Sequence, residues 1–107
     1  MIYLSSPYSH PEALVRAARF RLACEAVAKM LRAGEHVISP IVHCHPVAIA
    51  HDLPTDFAFW QAYNRDTLKR CDRMVVLKLA GWEESVGVAG EIEMAAEFNI
   101  PVEYREP

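Results

Sequence analysis

A chain of 107 residues has room for one hydrophobic core and not for two, so a single domain over residues 1–107 is expected. Its apolar share of 52% and charged share of 23% are those of a globular protein. A net charge of −3 offers no basic footprint to a nucleic-acid polymer, although it leaves a mononucleotide open as a partner.

The first predicted element is a short buried strand over residues 1–5, stopped by Ser6-Pro7. Ser9-His10-Pro11-Glu12 reads as a capping box, with Ser9 as the cap and Glu12 reaching back to it. The Ala-, Leu- and Arg-rich helix that follows runs to Ala33, with Gly34 as its stop. A second strand is predicted over residues 36–39, ended by Pro40. Residues 41–54, which hold His43, Cys44, His45 and His51, read as irregular. A second helix is predicted from Thr55 or Asp56 to about Cys71. The clearest strand, Arg73–Leu79, has Met-Val-Val-Leu at its centre. A loop over Ala80–Glu84 leads to a third helix from Ser85 to about Phe98, closed by Asn99, and to a last strand at Val102–Tyr104.

Short apolar strands alternating with helices predict an α/β domain. The expected form is a three-layer sandwich around a mainly parallel sheet of four or five strands, Rossmann- or flavodoxin-like. Ligands of such sheets bind beyond the carboxyl ends of the strands, here the loops at residues 5–9, 39–45 and 79–87. No apolar run is long enough to cross a bilayer, and no charged-then-apolar leader opens the chain. Three widely spaced cysteines without a CxxC pair point to reduced thiols in the cytoplasm.

Two helices carry polar residues on apolar stripes. Glu91 shares a stripe with Val88, Ala95 and Phe98, at spacings of three, four and seven, so it faces the sheet unless the helix is rotated to let it reach solvent. A buried carboxylate needs partners or a raised pKa. Asn64 likewise interrupts the stripe Phe57, Trp60, Leu68 and Cys71, either as a satisfied core amide or as a group that orients a ligand. Asp66 lies off that stripe and pairs with Arg70 one turn on. Ser85-Val86-Gly87-Val88-Ala89-Gly90 is a small-residue helix entrance, which serves either as an anion site or as a capped helix start. It is neither a Walker loop nor a dinucleotide fingerprint, and no GxSxG elbow occurs. His43 and His45 stand two apart without further ligands at a zinc spacing, so no metal and no cofactor are expected, and His43 is read as polar lining of a pocket.

Several of these segments together resemble the nucleoside 2-deoxyribosyltransferase superfamily. They are Ile2-Tyr3-Leu4-Ser5-Ser6-Pro7, Cys71-Asp72-Arg73-Met74-Val75-Val76-Leu77, and Ser85 through Ile92 ahead of Ile100-Pro101-Val102. The resemblance covers nearly the whole chain and is nearest to small bacterial and phage proteins with a SPYSHP…SPIVHxHP…GWxESxGV pattern. It implies that Glu91 is the nucleophile attacking the anomeric carbon of a sugar, and that Tyr3 positions that glutamate or the sugar. It also implies that Ser85 meets a 5′-phosphate, for which the Gly87–Ala89 amides are the expected companions, and that Ser6, Tyr8 and Ser9 contact sugar or phosphate. Trp60 or Tyr8 would stack on the base. One departure stands out: the family places a proton-handling aspartate where this chain has Asn64, and Asp56 on the same helix is the alternative donor.

The expected activity is therefore hydrolysis of the N-glycosidic bond of a nucleoside 5′-monophosphate. Base exchange between deoxynucleosides and non-catalytic nucleotide binding are the alternatives. The resemblance further implies a homodimer or homotetramer that takes a small nucleotide or nucleoside and has no membrane partner.

Overall fold

The computed structural model describes all 107 residues. Four strands form one parallel sheet: β1 (Ile2–Ser5), β2 (Val37–Ile38), β3 (Arg73–Leu77) and β4 (Val102–Arg105), in the order β2-β1-β3-β4. Between them run the helices α1 (Ala13–Arg32), α2 (Pro40–His51), α3 (Phe57–Lys69) and α4 (Val86–Glu97), with a single 3₁₀ turn at Trp82–Glu84 before α4. The two central strands are apolar and buried almost throughout, as parallel strands covered on both faces must be. The edges are β2, only two residues long, and β4, which carries Glu103 and Arg105; both features discourage further strand pairing.

Side-chain alternation along β1 and β3 divides the core into two. Ile2, Leu4, Val75 and Leu77 point to one face and pack with Met30 and Val27 of α1. Tyr3, Met74 and Val76 point to the other face and pack with Leu68 of α3 and Val88, Met94 and Ala95 of α4. The chain leaves β1 toward β2 on one side and leaves β3 toward β4 on the other. The strand order therefore reverses between β1 and β3, and a crevice opens at their carboxyl ends.

Two local expectations are overturned. Ser9 and Glu12 form no capping box: Glu12 itself occupies the cap position without a side-chain bond, and the Ser9 hydroxyl donates to the Thr55 carbonyl at 2.9 Å. The Glu12 N–H is taken instead by His10 Nδ1 at 3.0 Å. Residues 40–51, read as irregular, are helix α2. Ser39 caps it by accepting from the Val42 N–H at 3.3 Å, so Pro40 starts the helix rather than ending the strand before it. Pro46 inside α2 lies on its exposed side, where the carbonyl it leaves without a helical partner can meet water. Smaller shifts concern the ends: β3 stops at Leu77, and Asn99 ends α4 in the left-handed region with φ 58°.

Helices α3 and α4 pack through glycine. A methyl group at Gly90 would sit 2.7 Å from the tip of the Phe57 ring, too close for any side chain. Gly90→Ala is thus expected to lose about 1 kcal/mol, overpacking outweighing the gain in helix propensity. In a Phe57→Ala background the same change is expected to stabilise by a few tenths to about 1 kcal/mol. Urea unfolding of the four proteins checks this; an unchanged sign of the Gly90→Ala effect would show that the ring does not set the packing distance.

Candidate active site

Strand and helix periodicities meet at one carboxylate. Tyr3 and Ser5, two apart on β1, present their hydroxyls to the face that α4 covers. On α4, Glu91 falls between Val88 and Ala95 on the buried stripe and is only 6% exposed. The Tyr3 hydroxyl donates to Glu91 Oε2, and the Ser5 hydroxyl donates to Oε1 at 2.7 Å. Glu91 therefore does not reach solvent past the sheet edge. Burial pushes its pKa up to about 7, against the smaller downward pull of the Tyr3 and Ser5 hydrogen bonds. Tyr3 moves upward as well, through its own burial first and then the adjacent Glu91.

This carboxylate lines an open cleft whose empty space, counted out into the solvent at its mouth, is about 610 Å³. Asn64, 9% exposed, faces the cleft from α3, and its Oδ1 is fully buried without a hydrogen-bond partner. The Ser6 hydroxyl, from the turn after β1, is buried there and equally unpartnered. Orphaned polar atoms are costly in a dry core, and two of them on one cleft mark where a ligand's polar groups would fit. No lysine or arginine lines the cleft, and its two carboxylates are Asp56 and Glu91.

The remaining sequence-predicted residues divide clearly. Ser85 and Gly87 stand in the cleft wall at the start of α4. Ser85 is also the cap of that helix, its hydroxyl accepting from the Val88 N–H at 3.1 Å and its carbonyl from the Ala89 N–H at 3.0 Å. Among the first-turn amides, only those of Val86 and Gly87 are therefore left for an anion. Tyr8 lies in the wall, its hydroxyl hydrogen-bonded to His45 Nδ1, while the His45 ring stacks on Phe20 with centroids 4.5 Å apart. Trp60 lines the cleft and donates its Nε1–H to the Pro54 carbonyl at 2.8 Å. Ser9 is at the exposed mouth. Asp66 and Arg70 form their ion pair on the surface.

His43 is not brought to the site. It was expected to line the pocket, but in helix α2 residues two apart point to nearly opposite sides, so His43 is exposed and His45 takes the inward place. No group of three or more His, Cys, Asp or Glu is arranged to hold a metal ion. No helix is long and apolar enough to cross a membrane. The sequence does not mark Ser5 as a site residue, places Phe57 on the inward stripe of the second helix without a role at the site, and offers His45 only as a metal ligand. Ser5 could have been found from its place two residues after Tyr3; His45 required knowing that residues 40–51 are helical.

Residues 1–106 match a family described as a domain of unknown function (DUF1937), and the chain belongs to that family. No curated protein matches it.

Because burial raises its pKa, Glu91 ties stability to pH. In the unfolded chain the carboxyl ionises near 4.5, whereas in the fold it holds its proton to about 7. Its contribution is thus greatest below pH 4.5, declines as pH rises and levels off above 7, a loss of about 3 kcal/mol. Glu91→Gln removes that slope. Relative to the wild type, it is expected to become more stable by up to about 3 kcal/mol between pH 4 and pH 8 in urea titrations. A stability difference that stays constant with pH would mean that Glu91 does not titrate in this range.

Proposed function

We propose that this member of the DUF1937 family hydrolyses the N-glycosidic bond of a nucleoside 5′-monophosphate, with Glu91 as its nucleophile. One observation carries the reading: a carboxylate held by two hydroxyls on the wall of a cleft that also contains unpartnered polar atoms. The resemblance to the nucleoside 2-deoxyribosyltransferase superfamily supports it from the sequence side. In the first step a Glu91 oxygen bonds to the anomeric carbon as the carbon–nitrogen bond breaks, with the electron pair leaving on the base. Water then attacks the same carbon and regenerates the carboxylate. Tyr3 and Ser5 act as positioning residues that hold the carboxylate's two oxygens in place. Ser85 and the Val86 and Gly87 amides are the groups assigned to the phosphate, and Trp60 or Tyr8 to the base.

Asn64 favours a second reading, a non-catalytic nucleotide-binding module, because an amide orients a ligand but gives up no proton. Base exchange is the third, and a new nucleoside formed with an added acceptor base would reveal it. The large apolar side chains Val47, Ile49, Phe59 and Tyr63, exposed on α2 and α3, support assembly as a homodimer or homotetramer. Three free cysteines support a cytoplasmic setting.

Incubation with ribo- and deoxyribonucleoside monophosphates, followed by chromatography of the released base, is the deciding experiment. Wild-type protein is expected to release base, and Glu91→Gln to be slower by at least about a thousandfold. The nucleophile must be ionised, so kcat/KM is expected to rise with pH and level off above about 7. Binding without turnover across all nucleotides would leave the binding-module reading. Assembly is checked separately by light scattering, for which a mass near 12.1 kDa would mean a monomer.

A further inference from the structure

We infer that the cleft is built for a nucleotide whose base already carries a positive charge, a pyridinium mononucleotide bearing a carboxamide. This rests on the N-glycosidase reading and narrows it.

The first support is the leaving group. A neutral base departs as an anion unless a proton reaches it, whereas a pyridinium departs as a neutral base and needs none. The unengaged buried groups of the cleft are the Ser6 hydroxyl and the Asn64 amide, and neither is an acid. The acidic groups nearby are poorly placed to help. Tyr8 is tied to His45, and its burial holds the phenol proton above the usual range. Burial, and then the charge of Arg16, lowers the His45 pKa and so disfavours the protonated ring. Burial also raises the Cys44 thiol. Asp56 lines the cleft only at its mouth, from the exposed start of α3, and brings its charge there.

Charge and shape agree. Two carboxylates and no lysine or arginine line the cleft, Arg16 standing behind its wall against Tyr8 and His45, and Trp60 can take a cation over its indole face. Asn64 Oδ1 is an acceptor waiting for an N–H, which a ring carboxamide supplies. A cation beside Glu91 also favours its ionised form and opposes the effect of burial, so such a substrate prepares its own nucleophile. The step balances. The ring nitrogen takes the electron pair of the broken bond, and Glu91 forms the sugar ester. Water then displaces the carboxylate, and one proton passes to solvent.

Nicotinamide mononucleotide is the probe, compared with UMP, AMP and GMP and with its own reduced form, which lacks the positive charge. The expected kcat/KM for nicotinamide mononucleotide exceeds that for the neutral-base nucleotides by about a hundredfold. Asn64→Asp is expected to narrow this ratio by about tenfold, through gain on the neutral bases. The reduced form is expected to bind about tenfold more weakly than the oxidised one. Faster cleavage of neutral-base nucleotides, or equal binding of the two redox forms, overturns this inference while leaving the N-glycosidase reading in place. No release of base from any nucleotide overturns both.

Discussion

The Glu91 carboxyl is buried, and that constraint organises the cleft around it. An ionisable group inside a dry core is tolerated only where hydrogen bonds replace the water it loses. Here both oxygens are satisfied from a single strand, because a period of two places the Tyr3 and Ser5 hydroxyls side by side on the face that α4 covers. Those bonds recover only part of the desolvation cost, and the remainder appears as a pKa near 7. The carboxyl therefore lies close to the midpoint of its titration at neutral pH, where small changes in nearby charge alter its state.

The neighbouring polar groups follow a different rule. Ser6 Oγ and Asn64 Oδ1 are buried without partners, a cost that a sequence selected for stability alone would remove with alanine or leucine. Their presence on one cleft, beside a satisfied carboxylate, separates two tasks. One set of hydrogen bonds is complete within the fold and holds Glu91; the other is left open toward whatever enters.

Much of this was legible in the sequence. The 3.6-residue stripe placed Glu91 and Asn64 inward, and the continuous apolar runs of β1 and β3 announced a parallel sheet covered on both faces. What failed did so for local reasons. Pro40 and Pro46 made residues 40–51 look irregular, because Pro40 reads as the end of a strand and a proline inside a helix removes a backbone hydrogen bond. With that helix missed, His43 was preferred to His45. Ser9 and Glu12 carried a capping box in composition only: a hydroxyl that finds a carbonyl 46 residues away has no need of a local amide. Long-range pairings of this kind leave no periodic mark.

The bond between Tyr3 and Glu91 joins residues 88 apart along the chain. Strand β1, the first element, lies in the middle of the sheet and meets its partner β3 only at Arg73–Leu77. Long loops must close before such contacts return any energy, which makes the assembly of this corner late and slow. At neutral pH the Glu91 side chain is ionised in the extended chain and about half protonated once enclosed, so closing the corner takes up a fraction of a proton from solution. Completion of the fold is thus itself an acid–base event.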